Sequence, residues 1–405
     1  MKIIYLHQYF NTNEMPGSTR SFELSKKLVE NGHKVYLITS KRDSYQLEKN
    51  GWTKEKGIDV YWAPVSYSNN MGFLRRIFSF LSFSIKSLKV ALSIDADLIY
   101  ASSTPLTIAI PAIIVSKIKS KPMVFEVRDL WPELPIAVGA LKSFPAKFLA
   151  LYLEKLSYKN SKKIVALSNG MKEGIIKKGY PDNQINVITN LSNTDVHDKI
   201  EETNELGITI NNYIPKELDK LVIYTGAFGH VNDVKYLIKI AGEIKNINNK
   251  IKFIIAGEGV ESKNIINLAN ELEILGKSVF IINPIEKYKI PILYSKASIV
   301  TSLFINLEEL WNNSANKFFD GLAAGKPIMV NYSGWQRELL EKNYAGFYVP
   351  FDDHIKGAEI LNKVISDNKI QKNMGNSAKR LANQNFSIHA QYPKFERVLK
   401  SVVEE

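Results

Sequence analysis

Residues 1–40 read MKIIYLHQYFNTNEMPGSTRSFELSKKLVENGHKVYLITS, and the order of residue types along them decides the fold. Ile3 to His7 is a strand-length apolar run of the kind buried on both faces of a sheet. A polar loop with Pro16 and Gly17 follows. Ser21 to Asn31 then has helical periodicity, and Gly32 stands where a helix ends in a left-handed residue. Val35 to Thr39 is the next strand. Strand, helix and strand with short connections predict a parallel sheet covered by helices.

Working outward, the alternation continues with strands at Val60–Trp62, Leu98–Ala101, Met123–Val127 and Lys163–Leu167. It breaks over residues 192–217, a polar stretch that reads as an interdomain linker. It then restarts with strands at Leu221–Tyr224 and Lys252–Ala256 around a helix at Val234–Ile244. A helix near 261–275, strands at 278–282, 298–302 and 327–330, and a helix at 314–323 follow. The expected organisation is therefore an α/β domain over 1–191, a linker over 192–217, and a second α/β domain over 218–384. A helical tail over 385–405 is expected to pack back towards the first domain. Ligands of open parallel sheets bind at the carboxyl ends of the strands, so chemistry is expected in the loops there and in a cleft between the domains.

Composition narrows the partners. The chain has 405 residues, no cysteine, and 53 Lys and Arg against 41 Asp and Glu, a net charge of +12. A disulfide framework and Cys-ligated metals are excluded, and scattered histidines predict no metal site. The positive excess favours an anionic partner. Nucleic acid is not expected, because the lysines are dispersed and no compact recognition motif is present. The start resembles neither a signal peptide nor an anchor. The longest apolar candidate, Met71 to Ile94, is interrupted by Arg75, Arg76, Lys86 and Lys89, so no spanning helix and a cytoplasmic location are expected. The same segment is basic and rich in Phe and Leu, and is expected to touch an anionic membrane surface.

Four segments could carry chemistry. Asn11–Arg20 joins a strand to a helix. Gly17 allows close backbone approach, and Arg20 adds a cation at the helix start, which suits an anion or equally an ordinary capped turn. Phe125–Glu133 (FEVRDLWPE) ends a buried strand in Glu126, Arg128, Asp129 and Glu133, placed where a substrate would arrive. Tyr224–Asp233 carries Gly226 and Gly229, whose N–H groups could receive a diphosphate, although the spacing is not that of a dinucleotide fingerprint. In Glu308–Pro327 a polar loop, Asn312 to Asn316, leads into a helix bearing Lys317 and Asp320. Its amides and Lys317 suit phosphate, and Asp320 can accept hydrogen bonds from a sugar diol.

The opening Gly17 loop, FEVRDLWPE, LSNGM at 167–171, Gly257–Gly259 and NKFFDGLAAGKP at 316–327 occur together in family order. With these motifs the whole chain resembles a bacterial glycosyltransferase of family 4, of the two-Rossmann-domain GT-B architecture. It is most similar to N-acetylfucosamine-type transferases of O-antigen and capsule assembly. The resemblance implies a retaining transfer from a nucleotide-sugar, UDP preferred, to a lipid-linked saccharide, with neither metal nor cofactor. The enzyme would be peripheral on the cytoplasmic face of the inner membrane. It implies that Asp320 holds the ribose, as the second acid of the family's E-x7-E motif. Gly226, Gly229, Ser314, Asn316 and Lys317 would surround the diphosphate and sugar, and Gly257 and Glu258 the base. Gly17 and Arg20 would approach the phosphates from the other domain. The first acid of the motif is replaced by Asn312, and the basic pair of many relatives by Ala227 and Asn232. Lys317 with Arg20 is then expected to neutralise the leaving group. Asp129 stands at the Asp of a His-Asp pair and Arg128 at its histidine, so Asp129, Arg128 and Lys317 are the catalytic candidates. An epimerase of the same fold, or a noncatalytic sugar-nucleotide-binding subunit, is the alternative.

Overall fold

The computed structural model describes residues 1–41, 50–66, 71–195 and 220–404. Beyond residue 195, the linker expected over 192–217 lies outside the described residues.

The first sheet has eight strands: β1 (Lys2–Leu6), β2 (Lys34–Ser40), β3 (Gly51–Glu55), β4 (Ile58–Ala63), β5 (Leu98–Ser102), β6 (Met123–Val127), β7 (Lys163–Ala166) and β8 (Ile185–Val187). Their order is β3-β4-β2-β1-β5-β6-β7-β8, and among the described residues only the β3–β4 pair is antiparallel. The second sheet is wholly parallel, with β9 (Lys220–Thr225), β10 (Ile251–Ala256), β11 (Val279–Ile282), β12 (Ile299–Ser302), β13 (Ile328–Val330) and β14 (Gly346–Tyr348) in the order β11-β10-β9-β12-β13-β14. In each sheet the chain starts at a central strand, winds one way, then crosses to wind the other. Crevices therefore open at the carboxyl ends of the strand pairs β1/β5 and β9/β12.

Burial explains the strand sequences. Ile3, Ile4, Tyr5 and Leu6 are fully buried, as are Phe253, Ile254 and Ile255, because helices cover both faces of each sheet. The helix Val234–Ile247 turns Val234, Leu237, Ile238, Ala241 and Ile244 inwards at helical spacing.

Three strands, β3, β8 and β14, escaped the sequence reading. The β3–β4 hairpin closes through Lys56 and Gly57, which both have positive φ, the geometry that matches hairpin twist in a two-residue turn. The short β14 has too few residues for a periodic signal. After the helix Asn368–Leu381 and a π-turn at Ala382–Phe386, the helix Ile388–Glu404 returns to the first sheet. Its Tyr392, Phe395, Val398, Leu399 and Val402 share one apolar cluster with Ile3, Tyr5, Leu98 and Tyr100.

Candidate active site

A cavity of about 380 Å³ lies between the sheets, lined by residues of both. From the first come Pro16, Gly17, Ser18 and Asp129, in the loops after β1 and β6. From the second come the loops after β9, β10, β11 and β12 and the start of the helix Asn316–Ala323.

That helix organises the chemistry. Gly321 lets it lie close on β12 and β13, since a Cβ there would sit 2.4 Å from Ile328 Cδ1. Its amino end, with Ser314, Asn316 and Lys317, then faces the cavity. Lys317 Nζ donates to the Tyr224 hydroxyl at 3.0 Å and lies 4.3 Å from the centre of that ring. Burial, with no carboxylate among the described residues to balance it, pulls the Lys317 pKa down to about 7. Ser314 Oγ is buried with no hydrogen-bond partner among the described residues. An anion set here would meet a cation, a free hydroxyl and helix-start amides together.

Asp320, one turn further on, accepts hydrogen bonds from Lys287 Nζ at 2.6 Å on each of its oxygens. Lys287 follows β11 and was not among the sequence candidates. The signal that could have found it is its place in a loop at a strand's carboxyl end.

On the other wall, Asp129 is half-buried, and loss of solvent raises its pKa to about 6 against the pull of Arg128 and the Thr104 hydroxyl. Arg128 itself is not among the residues lining the cavity. It donates to His7 Nε2 at 2.7 Å and to Ser18 Oγ at 3.1 Å. Because guanidinium only donates, His7 Nε2 accepts, and its Nδ1–H is left to face Ser21 Oγ at 2.8 Å. Ser18 Oγ in turn donates to Asn316 Oδ1 across the cleft at 3.1 Å. Arg128 thus holds Ser18, which lines the cavity.

Further expectations are corrected. Arg20 does not reach the cavity: it is buried, 2.8 Å from Glu126, and donates to the carbonyls of Ile188 and Thr189. The net attraction of Glu126 keeps it charged there, so it is a core ion pair. Gly226 lines the cavity, but its N–H donates to Ala256 O and that of Phe228 to Glu258 O, so those two amides are spent. Gly229 lies outside the lining. Gly257 packs against the same turn: its own N–H donates to Ile282 O, and a Cβ on it would stand 1.9 Å from Gly226 O. Gly257 and the exposed Glu258 both line the cavity. Asn312 also lies outside the lining; it packs on Gly170, and its carbonyl accepts from Ser168 Oγ at 2.8 Å. Its neighbour Asn313 lines the cavity instead.

Two parallel Rossmann-like sheets with a shared, two-walled cavity are the GT-B architecture. Family models agree with that class: "Glycosyltransferase Family 4" matches residues 17–196 and "Glycosyl transferases group 1" matches residues 209–381. Between them they span most of the sequence, and the chain belongs to the glycosyltransferases that join these two domains.

A Campylobacter jejuni protein described as a GalNAc-alpha-(1->4)-GalNAc-alpha-(1->3)-diNAcBac-PP-undecaprenol alpha-1,4-N-acetyl-D-galactosaminyltransferase is 30% identical over 169 residues, 40% of this chain and 44% of that protein. The chain spans about half the length of the curated relatives it matches. Among solved structures, Anabaena HepE in complex with UDP and glucose superposes with a TM-score of 0.74 at 18% identity, covering 99% of this chain and 100% of that one. A UDP-GlcNAc 2-epimerase from Neisseria meningitidis superposes with a TM-score of 0.60 at 14% identity, covering 99% and 100%. The architecture is thus shared by transferases and epimerases, and the reaction must be argued from the site.

Proposed function

We propose that this chain transfers a sugar from a UDP-sugar, an N-acetylated amino or deoxyamino sugar, to a hydroxyl of a polyprenyl-diphosphate-linked saccharide during surface-polysaccharide assembly. The observation that carries the reading is the placing on one helix of Lys317, with no counter-ion among the described residues, and Asp320, a carboxylate one turn away. That spacing suits a diphosphate at the first and a ribose diol at the second. Isothermal titration with UDP and GDP in EDTA, repeated on Asp320→Ala, tests it. Saturable UDP binding that the variant loses supports the site; no binding of either nucleotide by the wild type sinks it.

Transfer with retention follows if the acceptor approaches on the face from which the diphosphate leaves. The bond from the anomeric carbon to the diphosphate oxygen breaks, and a bond to the acceptor oxygen forms on the same face. The acceptor proton passes to the departing diphosphate oxygen. Lys317 and the helix amides stabilise the charge that develops there, and turnover is expected to persist in EDTA. Asp129 orients the acceptor hydroxyl. Release of an altered sugar-nucleotide without any acceptor would reassign the chain to epimerisation.

The lipid-linked acceptor is favoured by the description of the Campylobacter relative and by the outer surface of the first domain. Among the described residues no helix is long and apolar enough to cross a membrane. The helix Phe73–Ser93, however, exposes Phe78, Leu81 and Ile85, and the helix Phe144–Lys159 exposes Phe144, Phe148, Leu149 and Tyr152, both with flanking basic residues. Such faces suit peripheral attachment to an anionic cytoplasmic leaflet.

A further inference from the structure

The donor-site reading leaves Lys287 without a task, yet it holds the carboxylate on which that reading depends. Its Nζ is 2.6 Å from each Asp320 oxygen, with the two side chains only 14% and 11% exposed. A ribose entering this site does not readily expel it, because a buried ion pair is costly to break by removing one partner.

Nor need it be expelled. An ammonium has three donors and a carboxylate about four acceptor positions, so a doubly bonded pair keeps one N–H and about two lone pairs free. A hydroxyl both donates and accepts. One ribose hydroxyl can donate to Asp320 while receiving the remaining N–H of Lys287.

The backbone of the same residue reaches the other domain. Lys287 N–H donates to Met15 O at 3.2 Å, and Tyr288 N–H to Asn13 O at 3.1 Å. The segment they grip leads directly to Gly17 and Ser18, which line the opposite wall of the cavity.

We propose that Lys287 is a second ribose-binding residue, reading the nucleotide 2′-hydroxyl together with Asp320 and fastening the occupied donor site to the loop at 13–18. The proposal rests on the donor-site reading above. It adds a selectivity, ribose over 2′-deoxyribose, and a route by which nucleotide binding steadies the first domain's wall of the cleft.

The test is titration of the full chain with UDP and 2′-deoxy-UDP, in wild type, Lys287→Met, Lys287→Arg, Asp320→Asn and the doubly neutral Lys287→Met/Asp320→Asn. Wild type should prefer UDP by roughly 10- to 100-fold, the usual worth of a hydrogen bond to a charged group. In Lys287→Met that preference should shrink to a few-fold, chiefly through weaker UDP binding, and Lys287→Arg should restore part of it. The double variant leaves no buried charge unpaired and should prefer UDP less than Asp320→Asn alone does, which covers the case of a single variant that does not fold; an equal preference in the two would overturn the role of Lys287. Amide exchange across residues 12–18 should slow on adding UDP to wild type and change little in Lys287→Met. If both nucleotides weaken equally, or neither does, the proposal is overturned while the donor site stands. If wild type binds neither UDP nor GDP, the donor site fails first and takes the proposal with it.

Discussion

Lys317 has a folded-state pKa near 7, against an ordinary value of 10.5, because its ammonium is buried in the cavity wall. Between those values the unfolded chain binds more protons, so this residue makes the empty protein more stable as pH rises through that window. A diphosphate reverses the preference by returning the proton. UDP binding should therefore take up a proton above pH 7 and weaken as pH rises further. Titration at pH 8 in buffers of different ionisation enthalpy should detect the uptake, and Lys317→Met should abolish it while binding UDP on the order of 10- to 100-fold more weakly. Asp129 carries the opposite sign. Its pKa of about 6 exceeds the ordinary 3.8, so the folded state holds the extra proton and stability falls as pH rises across that interval. Asp129→Asn should raise the melting temperature at pH 7.5 by about 2–4 °C, while lowering transfer on the order of 10-fold or more. Lys317 and Asp320 were legible in the sequence because residue type and place at a helix start coincide. Arg20 looked the same and was misread: Glu126, brought in by β6 from 106 positions away, decides where its side chain goes. Lys287 stood in a loop at a strand's carboxyl end, but its pairing was not legible for the same reason, since its partner lies 33 residues on.

At the scale of elements, the cavity floor depends on two loops lying in contact. Gly257 permits this, and a methyl group there would meet a backbone oxygen that no rotamer change can move. Gly257→Ala should separate the loops at 226–228 and 257–259, destabilise the protein by about 1–3 kcal/mol in denaturant titration, and weaken UDP binding in parallel. The outer helices make a separate prediction. Phe144→Ser with Phe148→Ser should cut co-sedimentation with anionic vesicles several-fold and leave UDP affinity unchanged; equal binding of wild type to neutral vesicles would remove the electrostatic part of the argument. Most strands were legible because a doubly covered sheet demands continuous apolar runs. Gly51–Glu55 (GWTKE) has a solvent-facing side and no such run, so only its Lys56–Gly57 turn marked it.

The whole molecule is held in one arrangement by polar contacts that cross the cleft: Ser18 to Asn316, Asn190 Nδ2 to Ser314 O at 2.6 Å, Ser168 to Asn312, and the backbone of Lys287 to Met15. Such contacts are individually modest. The return of the chain is different in kind, because the helix Ile388–Glu404 contributes five buried apolar side chains to the first domain's core. Glu396 reinforces it. Hydrogen bonds from His33, Lys400, Tyr392 and Asn31 overcome the opposing effect of burial and hold its pKa at about 2. This stabilisation is present above the ordinary carboxylate range and is lost as pH falls towards 2. During vectorial synthesis the first domain emerges from the ribosome with that face of its sheet bare. It must wait while the second domain is made in full, and only the arrival of Val402 seals it. The half of the protein that is translated first is thus the half that finishes folding last, and it needs shielding for that interval.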